Sequence, residues 1–304
     1  TQHSYAIVAL LYPQRLRSIQ MSFTHVNHRI YPFVSAVRNA ENQLLTKPCK
    51  PSATPMQSVA IQAPWIKELR TILRLAGPLI ASQMAHMLMV FTDTVMMGRL
   101  GPDALAGGGL GAASYNLISF FCVGVIAAVG TLVSIRHGAG DNVGATRLTQ
   151  AGLWLAWGMA LIAALVLWNL EPVLLKLGQN EANVHMAGQF LITLPLALPG
   201  FLSFMALRGF TSALGRAGPV MVISLGGVAV NFGLNYALIH GLFGLPHLGL
   251  MGIGLVTAVV ANGMALLLAL HIRQHPAYAP YPIRQGLMRP SLTYLQELWR
   301  LGLP

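Results

Sequence analysis

The sequence predicts an all-α membrane protein built as a six-transmembrane-helix bundle, and three observations carry that prediction. Of the 304 residues, 55% are hydrophobic and 9% charged, against roughly 25% charged in an ordinary soluble domain. The mean hydropathy is +0.60. Six apolar runs are long enough to cross a hydrocarbon core of about 30 Å, which takes about 20 residues in helical form.

The runs fall near 72–97, 111–135, 148–170, 186–207, 217–240 and 249–272. The last five are free of Asp, Glu, Lys and Arg until near their ends. Small residues recur in them: Gly107-Gly108-Gly109-Leu110-Gly111 leads into the second run, and Gly249-Leu250-Met251-Gly252-Ile253-Gly254 opens the sixth. Such residues let helices approach closely in lipid, so a packed bundle is expected. Pro78 in the first run and Pro195 and Pro199 in the fourth mark places where a helix bends or deforms.

The formal charge of +11 does not point to nucleic acid, because the basic residues sit between the apolar runs. Lys67 and Arg70 precede the first run and Arg74 lies at its very start, and Arg136 and Arg147 separate the second from the third. Arg208 and Arg216 separate the fourth from the fifth, and Arg273, Arg284 and Arg289 follow the sixth. The alternate loops hold Arg99, then Lys176, then no basic Lys or Arg. By the positive-inside bias, the N-terminus and the segment after the sixth run are cytoplasmic, and the partner of the long apolar surfaces is a lipid bilayer.

Residues 1–64 read as a separate basic leader, disordered or non-native, with six Lys/Arg against Glu41. Its apolar stretch from Tyr5 to Tyr12 is too short to cross a bilayer and lacks the pattern of a signal peptide. Met56 reads as a more natural start than Thr1. The expected division is a leader over 1–64, a six-helix lobe over 65–290, and the start of a further lobe over 291–304. Cys49 and Cys122 are too few for a disulfide framework or a cysteine metal cluster.

Asp93 is the one acid deep inside an apolar run. An ionised carboxylate in hydrocarbon costs several kcal/mol unless it faces a protein interior or a watery cavity, so its default role is functional: proton carrier or cation ligand. Asn231 and Asn235 are four apart and project from one helix face. Buried amides need partners, and a carboxylate on a neighbouring helix is one; simple interhelical hydrogen bonding is the other reading of the pair. His86 precedes Asp93 by about two helical turns, roughly 10 Å along the axis. It reads either as a proton relay or substrate contact, or as a structural histidine. Met84, Met87, Met89, Met96 and Met97 suit an adaptable pocket or plain packing. The glycine cluster at 107–111 follows no strand and is no nucleotide fingerprint. His240, His247, His271 and His275 lack metal-ligand spacing, and no nucleophile-and-base arrangement suggests an enzyme.

Four motifs in order resemble the multidrug and toxic compound extrusion (MATE) family, NorM branch. The first is Leu75-Ala76-Gly77-Pro78-Leu79-Ile80 with Phe91-Thr92-Asp93-Thr94-Val95-Met96-Met97-Gly98-Arg99-Leu100-Gly101. The second is Ala206-Leu207-Arg208-Gly209-Phe210-Thr211-Ser212-Ala213-Leu214-Gly215-Arg216. Asn231-Phe232-Gly233-Leu234-Asn235-Tyr236 is the third, and Gly241-Leu242-Phe243-Gly244-Leu245-Pro246 with Gly249 and Gly252 is the fourth. The resemblance covers about 65–304 and implies one lobe of a twelve-helix, two-lobe transporter. Gln296-Glu297-Leu298-Trp299-Arg300-Leu301-Gly302-Leu303-Pro304 echoes the stretch from Lys67 to Pro78, as the first turn of a second lobe would; the rest of that lobe is expected to be missing through truncation.

The resemblance implies proton- or sodium-driven export of amphipathic organic cations, with no cofactor beyond the coupling ion. It places Asp93, Asn231, Asn235 and Thr257 in the first lobe's cavity as cation- or proton-binding residues, and His86 with Asp93 as substrate contacts. A carboxylate, two amide carbonyls and a hydroxyl form a hard oxygen set for sodium, and equally surround a carboxyl that gains and loses a proton. Relatives carry an acid where this chain has Asn235, so the charge of the site rests on Asp93. The expected location is a bacterial inner membrane. Two other readings are a non-transporting half-protein or scaffold, and a lipid-linked flippase of the same superfamily; the latter is disfavoured by the lack of Arg and Lys inside the runs.

Overall fold

A computed structural model describes residues 64–239, 241, 248–283 and 292–302. The leader over 1–64, apart from Pro64, lies outside the described residues, as do positions 242–246 of the fourth motif. Every regular element among the described residues is helical. In chain order these are α1 (Pro64–Leu100), α2 (Pro102–Gly138), α3 (Asn142–Trp168), the short α4 (Glu171–Lys176), α5 (Glu181–Thr193), a 3-10 turn (Leu194–Ala197), α6 (Leu198–Ala213), α7 (Gly218–Ile239), α8 (Gly249–Gln274), a second 3-10 turn (Pro276–Tyr278) and α9 (Leu292–Gly302). Among the described residues, six stretches are long and apolar enough to cross a membrane: Ala76–Leu100, Pro102–Gly138, Asn142–Trp168, Glu181–Ala213, Gly218–Ile239 and Gly249–Gln274. The protein is an integral membrane protein with an all-α fold.

Local chemistry sets the helix ends. Gly101, at φ 122°, turns the chain between α1 and α2, and Pro102 opens α2 where a missing N–H costs nothing. The Asp141 carboxylate caps α3 by accepting from the Gly144 N–H at 2.8 Å, and Asn180 caps α5 through the Ala182 N–H at 2.9 Å. Pro195 and Pro199 remove backbone donors in the fourth span, which breaks there into α5, the 3-10 turn and α6. The Leu196 carbonyl at the break accepts from the Asn262 side-chain amide on α8 at 2.9 Å. Beside it, the Thr193 hydroxyl donates to the Met251 carbonyl at 2.9 Å. Pro78, by contrast, is carried inside α1, which stays one helix.

The helices outrun the predicted spans. α2 starts at Pro102 rather than near 111, because the glycine run is helical packing surface and not a loop. A Cβ at Gly107 would strike the Met186 Cβ, and one at Gly108 would lie 2.7 Å from the Met97 sulfur. The fourth span likewise runs on to Ala213, so Arg208 belongs to a helix and not to the loop expected between the fourth and fifth runs.

α2 packs on α3, α5 and α6, while α8 packs on α5, α6 and α7, and α1 lies against α7. Small residues make the closest approaches: the Gly130 and Gly209 backbones meet between α2 and α6, and Gly200 meets the Asn262 backbone between α6 and α8. Phe190, Phe210, Ile126, Leu148 and Leu202 fill the interior. Leu117, Phe120, Phe121, Leu161 and Ile162 stand exposed on the outside of α2 and α3. Bare apolar faces of that kind are what lipid contact requires. α9 packs against α2 and α3. Leu298 is buried there, and Arg136 reaches Glu297 at 3.3 Å and Asp141 at 3.4 Å.

Candidate cation and proton site

α1 and α7 each turn one stripe inward. On α1 the stripe is Ser82, Ala85, Met89, Asp93 and Met96, with Met97 buried beside it. On α7 it is Val220, Ser224, Gly227, Asn231 and Asn235, with Ala237 also buried beyond it. Both stripes step by three or four residues, the spacing of one helix face, while Val222, Val230 and Phe232 occupy the outer side of α7. Asp93 therefore faces α7 and α8 instead of lipid, with 9% of its surface exposed; Asn231 and Asn235 are fully buried.

Three side chains close on the carboxylate. Asn235 Nδ2 donates to Asp93 Oδ1 at 2.7 Å and Asn231 Nδ2 to the same oxygen at 3.2 Å. Thr257 Oγ1 lies 2.9 Å from Asp93 Oδ2. Asn235 Nδ2 is also 3.3 Å from Asn231 Oδ1, so the pair braces itself along α7. Among the described residues no basic side chain pairs with Asp93. The charge is met by dipoles alone, and each hydrogen bond to a charged group is worth about 1.5–3 kcal/mol.

The sequence-derived set of Asp93, Asn231, Asn235 and Thr257 thus comes together, with one correction of orientation. Both amides present N–H groups to Asp93 and not the carbonyl oxygens expected for a sodium cage. The reason is that an ionised carboxylate accepts only. Asn235 Oδ1 is buried without a partner among the described residues, a spare acceptor beside the cluster.

Thr257 has two acceptors in reach, Asp93 Oδ2 at 2.9 Å and the Ile253 carbonyl at 3.0 Å, and a single hydroxyl hydrogen. With Asp93 ionised, the hydroxyl donates to it. With a proton on Oδ2, the hydroxyl accepts that proton's hydrogen bond and donates to Ile253 instead. No heavy atom has to move between the two states. A sodium ion, to gather more oxygens, requires at least one amide to turn its carbonyl inward.

His86 does not join this cluster. Its ring stacks on Phe201 at 5.3 Å and lines a cavity between α1, α6, α7 and α8 with Met89, Met205 and Arg208. Arg208 donates to Gln83 Oε1 at 3.3 Å. Phe201 and Arg208 went unrecognised as cavity residues in the sequence, where nothing ties them to His86. Of the five methionines, Met84 and Met87 are exposed, while Met89, Met96 and Met97 are buried. No group of three or more His, Cys, Asp or Glu suited to a metal occurs among the described residues.

Fold and site together define a polytopic helical membrane protein with a carboxylate held inside the bundle by amide and hydroxyl donors. The MatE family model matches residues 78–237, more than half of the sequence, and the chain belongs to that family. It is 78% identical over 244 residues to a probable multidrug resistance protein NorM of Pseudomonas syringae pv. tomato, covering 80% of this chain and 53% of that protein. A protein of the same name from Pseudomonas aeruginosa is 61% identical over 244 residues, again 80% of this chain and 50% of its own length. The chain spans about half the length of the curated relatives it matches. The fold matches the crystal structure of the eukaryotic MATE transporter AtDTX14 with a TM-score of 0.70 at 22% identity, over 79% of this chain and 52% of that one. The six spans correspond to one lobe of such a structure.

Proposed function

We propose that the chain forms the cation-coupled lobe of an antiporter that exports amphipathic, mostly cationic drugs. The observation that carries this reading is the clasp of Asn231, Asn235 and Thr257 on the intramembrane Asp93. A proton or sodium ion and a cationic drug compete for one negative charge, which is the elementary requirement for exchange. The names of the relatives, probable multidrug resistance proteins, point the same way. A proton as the coupling ion is favoured by the two acceptors within reach of Thr257, since loading and unloading then need no rearrangement.

In this reading His86 and Phe201 offer a flat surface to an aromatic drug, and Met89 and Met205 adapt to its shape. Asp93 supplies the attraction for positive charge. The N-terminus faces the cytoplasm of a bacterial inner membrane, in keeping with the loop arginines.

The test joins this chain to the second half of the Pseudomonas syringae relative and follows ethidium efflux from cells. Asp93→Asn is expected to abolish efflux with the protein still present in the membrane. Efflux at the unsubstituted rate in that variant sinks the assignment. Imposed pH and sodium gradients across proteoliposomes then identify the ion, and the chain expressed alone shows whether one lobe suffices.

A further inference from the structure

A second cavity, of about 840 Å³, opens where α8 ends, between α3, α6, α8 and the segment 275–283. Leu153, Leu207, Leu270 and Ile283 give it an apolar lining, and Arg273, His275 and Tyr278 line it as well. Among the described residues no carboxylate lines it and Arg273 has no ion pair. His275 Nδ1 accepts from the Ala277 N–H at 3.2 Å, which leaves the ring's own proton on Nε2 as a donor. The Tyr278 hydroxyl is buried and without a partner among the described residues. Arg216 sits 5.8 Å over the Tyr278 ring and adds a second positive charge. Burial raises the Tyr278 phenol above its ordinary range, with Arg216 working against it, so the hydroxyl keeps its proton as a donor.

The Arg273 guanidinium, an imidazole and a phenol thus line the cavity together with apolar side chains, with Arg216 close behind the Tyr278 ring, where the sixth span (Gly249–Gln274) ends. Basic pockets between the ends of transmembrane helices suit acidic headgroups. We infer that this cavity binds an anionic phospholipid, its phosphate held by Arg273, His275 and Tyr278 and its upper acyl carbons laid along Leu153, Leu207 and Leu270. A free phosphate has the same charge but no use for the apolar lining. The site is separate from Asp93 and does not depend on the transport reading.

Native mass spectrometry of the detergent-purified chain tests it, with phosphatidylglycerol and phosphatidylcholine offered in equal amounts. Phosphatidylglycerol is expected to be retained about tenfold better, as the loss of a charge-assisted hydrogen bond would scale. Arg273→Gln and Tyr278→Phe each remove most of that preference, whereas Arg99→Gln, in the last turn of α1, leaves it intact. Arg273 is exposed, so its substitution is not expected to unfold the chain. Equal retention of the two lipids overturns the proposal. So does an Arg273→Gln chain that behaves like Arg99→Gln, or displacement of the lipid by excess inorganic phosphate.

Discussion

A methyl group at position 200 has no room. Built on Gly200, it would lie 2.5 Å from the Asn262 N and Cα and 2.7 Å from the Ala261 carbonyl carbon. Non-bonded carbons settle about 3.5–4.0 Å apart, so α6 and α8 must part by about 1 Å. All three neighbours are backbone atoms, and no rotamer change relieves the clash. Alanine gains about 1 kcal/mol of helix propensity over glycine, while overpacking costs about 1–3 kcal/mol. Gly200→Ala should therefore lose up to about 2 kcal/mol. A Cβ on Gly226 of α7 would meet nothing within 4 Å, so Gly226→Ala should be neutral or gain up to about 1 kcal/mol. The shift also reaches the site, because Thr257 sits five residues before Asn262, about 7.5 Å along α8. Its 2.9 Å contact with Asp93 has little slack. Thermal unfolding in detergent of the parent and both variants gives the comparison: Gly200→Ala melts lowest and Gly226→Ala at or above the parent. If the two glycine variants shift together, close packing of α6 on α8 is not what Gly200 provides.

Thr257→Val keeps the shape and removes the hydroxyl, which should cost about 1.5–3 kcal/mol of support for the carboxylate and cut cation-driven efflux several-fold at unchanged expression. Asn231→Leu leaves Asn235 without its Oδ1 partner and Asp93 with one donor fewer, and should lower the unfolding temperature by the equivalent of about 1–3 kcal/mol. Arg136→Gln removes contacts to Asp141 and Glu297 that are 3.3–3.4 Å long and partly solvated. It should change stability by less than about 1 kcal/mol, and a large drop in melting temperature would show that α9 depends on that charge.

The number of spans was legible because apolar length is a property of the sequence itself. Their ends were not. The glycine run was legible as a close-packing surface, but not that it is already helical from Pro102, nor that Gly107 and Gly108 are where Met186 and Met97 come close. Prolines marked deformable places correctly at 195 and 199, yet the same residue at 78 stays within a continuous helix. Asp93 stood out by charge alone and the asparagines by their spacing. Thr257 could not be chosen from Thr131, Thr146, Thr149 or Thr193 by spacing, since its contact spans 164 residues; family likeness supplied it. The direction of the amides was beyond any sequence pattern, because it depends on which atom the carboxylate turns toward them.

The long reach of Asp93 also has a meaning for how the chain is made. Its hydrogen-bond partners lie 138, 142 and 164 residues further on. At a synthesis rate of about 5–20 residues per second, the first span waits roughly 7–28 s for Asn231 to emerge. During that interval its carboxylate has none of the donors that later surround it, in the least apolar of the six spans. The first helix is then the one that membrane insertion machinery must hold, or shelter beside water, until the fifth and sixth arrive. Ribosome-stalled chains ending before and after position 235 would reveal the change as a sharp gain in the first span's resistance to extraction.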